Sequence, residues 1–412
     1  MDQPTETIRE SVARTQRLPM RLLILLIAMT AVGSLSLNIM VPAVPKLAVT
    51  FAADPNLVQL TISLYLFGYA TSQLFLGPLS DRFGRRPVML AGLALATMAS
   101  AGAVMATSIG GLIAARVVQS FGASTGLVIG RAIVRDLVDR EHAAATIGLV
   151  TAAVVIAPLF GPLFGGVLDT AFGWQAIFVF IAALSGMVLI WAIMALPETR
   201  PIRAADSGAA HFLTDVRALL SSRRFHGYVL ASTLTSAPFF VFIGGGPHMV
   251  VTLMERTSAE YGMWWGVGSL GYMAGNFTAS RLSVKYGIDA MIKWGLWIEF
   301  VCCILMVILT EMFFHLGPAI PFVLLLFAFV GNGLALPNAI AGAISIRPQA
   351  AGTASGVSGF FHMSTGALVA QLTGWALVGA STALPMTAIL AVLATAGVIA
   401  YYALLGPARP KA

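Results

Sequence analysis

One loop of this 412-residue sequence combines acidic, basic and glycine residues at a spacing that suits a reversible ionic contact. The loop reads Gly77-Pro-Leu-Ser-Asp81-Arg82-Phe-Gly84-Arg85-Arg86, and a further acid, Asp136, follows a later apolar run. Glycine permits tight turns and close helix approach, and a carboxylate among arginines can join helix ends in one state and release them in another. We expect a conformational latch. The alternative is a solvated loop, in which exposed ion pairs are worth about 0–1 kcal/mol.

Arg116 is a charged residue inside an apolar run, and Gln119 lies one helical turn away from it. If this run spans a membrane, a lone cation within it costs at least roughly 2.5–3.5 kcal/mol, so Arg116 must face a cavity or a partner. We expect Arg116 and Gln119 to couple substrate binding to proton binding. The alternative is a structural arginine whose guanidinium is satisfied by carbonyl groups.

A later apolar run is interrupted by prolines and glycines. It reads Ala157-Pro158-Leu-Phe-Gly161-Pro162-Leu-Phe-Gly165-Gly166. The prolines weaken the backbone hydrogen-bond ladder, and the glycines permit close contact with another helix. We expect a bent helix that packs against the other half of the chain and serves as hinge and seal. Ordinary glycine-rich packing is the alternative.

Three titratable residues could carry a proton within the apolar runs. Glu299 is the acid placed well inside such a run, and a buried carboxyl holds its proton more tightly than an exposed one. His248 and His362 can titrate near neutrality. For Glu299 a packing role is an equal alternative, and for each histidine the alternative is a neutral, hydrogen-bonded structural role.

Polar and aromatic residues on single helix faces predict a substrate pocket. Thr61, Tyr65 and Tyr69 recur every four residues and therefore share one face. The other candidates are Phe239, Phe240, Asn332, Asn338 and Phe361, together with the two histidines. Such a mixed lining suits loose recognition of varied ligands. Each of these residues could instead serve interhelical packing.

The elements that must position these residues are membrane helices. Hydrophobic residues make up 58% of the chain and charged residues 10%, whereas a soluble domain is roughly 45–50% apolar and about 25% charged. A membrane span needs about 20 apolar residues. Twelve runs meet this condition and predict an all-α polytopic membrane protein. They lie near 21–43, 57–78, 87–107, 109–132, 143–167, 174–196, 226–250, 259–281, 289–310, 317–342, 350–376 and 381–405.

The basic residues, which give the chain a net charge of +7, fall mainly on one side of these spans. The opposite side keeps only Lys46 and Arg256. This asymmetry predicts that both termini are cytoplasmic, and it orients the protein rather than indicating a nucleic-acid partner. Residues 1–20 are polar and basic, and the first apolar run is a full-length span with no small-residue cleavage site after it. We therefore expect this run to remain as the first helix and not to be removed as a signal peptide.

The two halves of the chain are related by a weak internal repeat. A shift of 203 residues places Tyr69, Leu79, Ser80 and Gly84 on Tyr272, Leu282, Ser283 and Gly287. Duplication of a six-helix unit is typical of carriers that rock two bundles around a central pathway. We expect bundles at 21–196 and 226–405, a cytoplasmic central loop at 197–225, and cytoplasmic tails at 1–20 and 406–412.

These motifs resemble those of a known family. Gly77–Arg86 resembles the signature loop of the major facilitator superfamily, Leu112–Gly122 its helix-4 arginine motif, and Ala157–Gly166 the helix-5 motif of its drug antiporters. Segments similar to the Bcr/CflA multidrug exporters are Gly173–Phe178, Leu196–Thr199, Arg131–Asp136 and Ala351–Ser355. The resemblance implies a two-bundle fold, proton-driven antiport and export of amphipathic drugs. It also implies a charge relay of Asp81, Arg85 and Asp136.

One position departs from the pattern of that family. Asn38 stands where relatives often carry an acid, shortly before a proline of the first helix. Asparagine cannot titrate, so the proton must bind elsewhere, and the substrates shift toward neutral or anionic compounds. Asn38 itself remains a candidate for substrate binding.

The sequence therefore predicts a secondary transporter. It contains no phosphate-binding glycine-lysine loop, no nucleophile constellation and no metal-ligand spacing. We expect a monomer in a bacterial inner membrane, surrounded by lipid, that exchanges small amphipathic substrates for protons and uses the proton gradient without a cofactor. A carrier of an endogenous metabolite, working as exporter or symporter, is the alternative. A membrane sensor would need a sizeable soluble output domain.

Overall fold

The chain folds as helices throughout the part that the computed structural model describes, which is residues 18–199, 208–347 and 350–406. Side chains are described within these ranges except at 140–145, 148, 151–156, 158, 159 and 208–213. No β-strand occurs among the described residues. The predicted tails 1–20 and 406–412 lie almost wholly outside the described residues, as does part of the predicted central loop 197–225.

The first half contains six long helical segments, two of which are broken. They are α1 (Met20–Asn38) continued by α2 (Val44–Thr50), α3 (Pro55–Phe83), α4 (Arg85–Val104), α5 (Ile109–Ala123) continued by α6 (Thr125–Leu137), α7 (Arg140–Phe172) and α8 (Trp174–Ala195). A 3-10 turn at Val41–Ala43 joins α1 to α2, because Pro42 and Pro45 lack the N–H groups that would continue the first helix.

The second half repeats this arrangement after a short helix in the central loop, α9 (Gly208–Leu220). Its six segments are α10 (Arg223–Leu234) continued by α11 (Ala237–Pro247) and a π-helical turn (His248–Leu253), α12 (Ser258–Tyr286), α13 (Ile288–Met312), α14 (Ala319–Ser345), α15 (Ala351–Ala376) and α16 (Leu384–Leu404). The described residues thus confirm the prediction of an all-helical polytopic protein. Eight of these segments are long and apolar enough to cross a membrane.

The internal repeat is visible in the helix boundaries. Helices α3 and α12 begin and end 203 residues apart, at Pro55–Phe83 and Ser258–Tyr286. Each is followed by a glycine with positive φ, +101° at Gly84 and +80° at Gly287. Only glycine adopts this backbone conformation without strain, so the same sharp reversal occurs at the same place in both halves.

The two halves meet along two helix pairs, α3 with α15 and α7 with α12. We call the two ends of the bundle the Arg85 end and the Lys46 end, after a residue at each. Near the Lys46 end, Gln59 donates a hydrogen bond to the carbonyl of Ala370 at 3.3 Å, and Ser63 donates to Gln371 at 2.7 Å. The described helices are therefore packed together at the Lys46 end.

Candidate functional site

Arg85 is the centre of an ionic cluster in the first half. The reversal at Gly84 brings Arg85, the first residue of α4, back to the last turns of α3. Its Nη1 lies 2.5 Å from a carboxylate oxygen of Asp81, and its Nε lies 2.9 Å from Asp136 on α6. The same Nη1 donates to Ser80 Oγ at 2.7 Å. The Arg85 and Asp136 side chains are only 8% and 12% exposed, so their ion pair is largely shielded from water.

Glu198, which follows α8, belongs to the same cluster, although it was not among the predicted site residues. Its carboxylate accepts the backbone N–H groups of Arg85 at 2.9 Å and Arg86 at 3.2 Å. It thereby satisfies two of the free N–H groups at the beginning of α4, where negative charge is favoured. In the sequence, the feature that could have indicated Glu198 is its position as an acid directly after the last apolar run of the first half.

The cluster joins helices of the first half to one another. Of the other predicted latch residues, Gly77 has open space where a side chain would lie, and the Arg82 guanidinium lies 5.3 Å from the centre of the Phe83 ring. The second half comes close at Gly352 of α15, where an added Cβ would lie 3.4 Å from Arg135 Nη1. A latch between the two halves therefore stays a prediction about another conformational state.

The two acids that contact Arg85 should differ in their contribution to stability. We expect Asp136→Asn to destabilise the protein by about 1.5–3 kcal/mol, because it removes a shielded hydrogen bond between charged groups. Asp81 is 47% exposed, so Asp81→Asn should cost about 0–1 kcal/mol. Thermal unfolding of the purified variants measures this difference. Equal losses for the two variants would contradict the assigned geometry.

Arg116 is buried inside the first half, with 1% of its surface exposed. Its Nη1 donates to Gln119 Oε1 at 2.5 Å and to the carbonyl of Ser36 at 2.9 Å. Its Nε donates to the carbonyl of Thr61 at 3.3 Å. The guanidinium carbon lies 4.0 Å from the centre of the Tyr65 ring, within the range of a cation–π interaction.

The partners of Arg116 are neutral dipoles. Gln119, which accepts a hydrogen bond from Arg116, in turn donates one to Ser100 Oγ at 2.7 Å. Arg116 Nη2 is buried and has no hydrogen-bond partner, and none of the ion pairs among the described residues includes this arginine. Carbonyl groups thus accept hydrogen bonds from part of the guanidinium, in line with the alternative of a structural arginine. No carboxylate of the described residues neutralises its charge.

The pocket candidates of the first half lie mostly at helix contacts within that half. Tyr65 donates to the carbonyl of Gly33 at 3.1 Å, and Thr61 is fully buried beside Arg116. Asn38 donates to the carbonyl of Ser34 at 2.7 Å. Tyr69, 6% exposed, stacks against Tyr65 with ring centres 6.3 Å apart. These residues surround the Arg116 cluster and do not form one face toward the other half.

Four candidates of the second half lie around the break between α10 and α11. Asn332 donates to the backbone carbonyl of Thr235 in this break. Glu299, with no exposed surface, accepts a hydrogen bond from the Thr235 hydroxyl at 2.9 Å. On the side of α15, the His362 ring meets the Phe240 ring edge-on at 5.4 Å. The sequence had assigned these residues separately to proton coupling and to substrate binding.

The remaining pocket candidates are dispersed. Phe239 packs in an aromatic cluster of the second half. His248 lines a cavity of about 220 Å³ between the two halves at the Lys46 end. Asn338 donates to a backbone carbonyl of its own helix at 2.7 Å, and Phe361 is 39% exposed. The structure therefore does not bring all predicted pocket residues into one cavity.

The glycines of α7 serve two different contacts, whereas the sequence predicted a single contact with the other half. A side chain at Gly165 would collide with the carbonyl of Ile39, and Gly161 likewise faces the end of α1. Gly166 faces the other half, because a side chain there would collide with the carbonyl of Ser258 on α12. Close packing against the other half is thus confined to one of the three glycines.

The prolines of this motif do not break the helix. Helix α7 runs from Arg140 to Phe172 without interruption. The carbonyl of Pro162 lies against Gly262 of α12, so this proline belongs to the contact between the halves. The Pro158 side chain lies outside the described side chains. A hinge at this position stays a prediction.

An ion pair at the Lys46 end was not predicted. Lys46 Nζ lies 2.8 Å from Asp169 Oδ2, and the two side chains are 45% and 1% exposed. Asp169 lies in the last turn of α7 and Lys46 in α2, so the pair ties the short helix to the first half. It was missed because the predicted span ended at residue 167, which left Asp169 in a loop.

Comparison with known proteins identifies the family. Residues 26–371 match the Major Facilitator Superfamily. Multidrug resistance protein D of Escherichia coli (strain K12) is 30% identical over 84% of this chain and 87% of its own length. The chloramphenicol resistance protein of Pseudomonas aeruginosa is 30% identical over 84% of each chain. A solved POT family transporter in complex with 5-aminolevulinic acid is 12% identical and shares the fold, with a TM-score of 0.77 over 96% of this chain and 98% of its own. The chain belongs to the Major Facilitator Superfamily.

Proposed function

We propose that the protein exports small amphipathic drugs across the bacterial inner membrane in exchange for protons, as a transporter of the Bcr/CflA type. Relatives that extend over most of the chain are named for multidrug and chloramphenicol resistance, which supports drugs as the substrates.

One observation supports ion coupling. Arg116 and Glu299 are 1% and 0% exposed in opposite halves and form no ion pair within the described residues. Burying such groups in membrane helices is costly, and a carrier of neutral drugs without ion coupling would not need them.

The transport cycle that we propose is alternating access between the two halves. The packed Lys46 end corresponds to a state that is closed on the periplasmic side, so drug enters from the Arg85 end. The Arg85 end is assigned to the cytoplasm because the arginines and lysines of the described loops concentrate there. Both termini then lie in the cytoplasm. The proton gradient supplies the energy without a cofactor, and one chain is sufficient.

The proposed substrates are neutral or anionic rather than cationic. In the first half, Asn38 occupies the place of a titratable acid, and its Oδ1 is buried without a hydrogen-bond partner. Arg131, two turns before the end of α6, has a buried Nε that also lacks a partner. Arg116 and Arg131 form no ion pair among the described residues, and such buried cations disfavour a cationic drug by Coulomb repulsion. This balance is also the reason to keep a second candidate, a carrier for an endogenous anionic metabolite.

Proton release from the purified carrier tests the proposed function. The wild-type protein is held in detergent at weakly buffered pH, and a neutral amphenicol-like compound and a cationic dye are added in turn. We expect the neutral compound to release protons and the dye to release few, because drug and proton compete for the same carrier. Binding of both compounds without proton release would contradict antiport and favour a uniporter or metabolite carrier.

A further inference from the structure

The spanning segment that begins the second half is interrupted in its middle, opposite a buried acid. Helix α10 ends at Leu234 and α11 begins at Ala237, so Thr235 and Ser236 form a break between them. The break faces Glu299 of α13, whose carboxyl Oε2 accepts a hydrogen bond from Thr235 Oγ1 at 2.9 Å. Breaks at membrane depth are tolerated where neighbouring groups satisfy the released backbone.

The Glu299 carboxyl has too few hydrogen-bond donors around it to stabilise a negative charge. Its Oε1 is buried without a hydrogen-bond partner, and its residue has no exposed surface. The titratable groups beside it are the thiols of Cys302 and Cys303 on the same helix. Besides these thiols, the Thr235 hydroxyl acts on the carboxyl, and no charged side chain of the described residues does. A single neutral donor suits a protonated carboxyl, whereas a carboxylate would need more donors or a cation.

Hydrogen bonds connect the same break to the surface between the two halves. Asn332 of α14 donates to the carbonyl of Thr235 and, at 3.1 Å, to Ser236 Oγ. Ser236 Oγ donates to the carbonyl of Ser232 at 3.1 Å. The same Ser232 carbonyl lies 3.2 Å from Nδ1 of His362, which donates to it in the tautomer that carries the proton on Nδ1. His362 lies on α15, the helix that packs against α3 of the first half.

We propose that Glu299 is the proton-binding site of the transport cycle, and that its charge acts on the inter-half surface through the break at Thr235 and Ser236. When the carboxyl releases its proton, to water that reaches it in another state of the transport cycle, the resulting carboxylate attracts the Thr235 hydroxyl and the Asn332 amide. Because Asn332 also holds the backbone of the break, this attraction displaces the end of α10, where Ser232 contacts His362. Reprotonation reverses the change. The inference rests on the proposed function, because it locates the proton that this function requires.

Glu299→Gln tests the proposal in proteoliposomes. Glutamine is neutral and can still accept the Thr235 hydrogen bond, so it imitates the protonated carboxyl. We expect drug binding and drug–drug exchange to persist, while drug-induced proton release disappears and uptake driven by a pH gradient falls at least about tenfold. The matched control is Glu311→Gln, a change of the other glutamate of α13, which should leave both properties unchanged. A merely structural Glu299 would leave proton release intact in the glutamine variant.

A second variant and a second readout keep the test decisive. The infrared absorption of a protonated carboxyl should be present in the wild-type protein and lost in Glu299→Gln. Thr235→Val removes the donor to the carboxylate while keeping the shape, so drug-induced proton release should move to higher pH without loss of drug affinity. If Glu299→Gln does not fold, an unchanged pH profile in Thr235→Val overturns the proposal. Absence of proton release from the wild-type protein would instead contradict the proposed function itself.

Discussion

Replacing Arg116 by alanine is expected to abolish proton-coupled drug efflux while the protein still inserts into the membrane. The guanidinium holds the carbonyls of Ser36 on α1 and Thr61 on α3 together with Gln119 on α5. Each hydrogen bond to a charged group is worth about 1.5–3 kcal/mol. The loss of one such bond in the rate-limiting state alone would slow transport about tenfold or more. Efflux of a neutral drug from energised cells, corrected for the amount of inserted protein, measures the effect.

Two further variants separate charge from geometry at this position. Arg116→Lys keeps the positive charge, but its single ammonium nitrogen cannot take the places of both Nε and Nη1 in the planar guanidinium fork. It should therefore transport at an intermediate rate. Val118→Ala, on the exposed side of the same helix at 42% exposure, is the matched control and should transport normally. Unchanged efflux in Arg116→Ala would show that this arginine has a structural role only.

Much of the fold could be predicted from local features of the sequence. The reversals at Gly84 and Gly287 follow from glycine in equivalent places of the repeat. The apolar runs that precede these glycines are long enough to define helices α3 and α12. The breaks within the other spans were not predicted. The break at Ser124, for example, is supported by a hydrogen bond of 2.6 Å from Ser72 of α3. Such a break depends on a partner distant in sequence, so local pattern does not reveal it.

The pocket prediction was weaker for a geometrical reason. Residues four apart on a helix turn by about 40° relative to one another, because the helix has 3.6 residues per turn. Over the three steps from Thr61 to Gln73 this drift reaches about 120°. Thr61 accordingly touches Arg116 in the first half, whereas Gln73 faces Gly359 of α15 in the second. The polar residues of α3 at intervals of four, extended to Gln73, therefore lie on two different surfaces.

The charged cluster at Arg85 was predicted in its residues and not in all of its contacts. The resemblance implied a relay of Asp81, Arg85 and Asp136, and in the structure Arg85 contacts both acids. The position of Glu198 after the last apolar run of the half was visible in the sequence, but its partners are backbone N–H groups of α4, which no residue type marks. The same holds for Lys46 and Asp169, whose pairing depends on the short helix after the break in the first span.

Gly166→Val is expected to open the Lys46 end of the protein. A side chain at Gly166 would collide with the carbonyl of Ser258 and lie 3.0 Å from Ala259 Cα, so the backbones of α7 and α12 must separate. Overpacking of this kind costs typically about 1–3 kcal/mol, which shifts a two-state equilibrium roughly 5–150-fold. The variant should therefore populate the state that is open at the Lys46 end and transport slowly.

Thiol labelling at the contact between the halves measures this opening. In a protein with Cys302 and Cys303 replaced by serine, a cysteine introduced at Gln59, which is 3% exposed, reports access from the Lys46 side. Labelling by an impermeant maleimide should rise at least about fivefold in Gly166→Val.

Gly110→Val is the matched control at the same end, because no atom lies within 4 Å of the Cβ position of Gly110. Gly165→Val should instead destabilise the first half without opening the contact, since its collision is with Ile39 of the same half. Equal labelling in Gly166→Val and Gly110→Val would show that the α7–α12 contact does not seal the carrier.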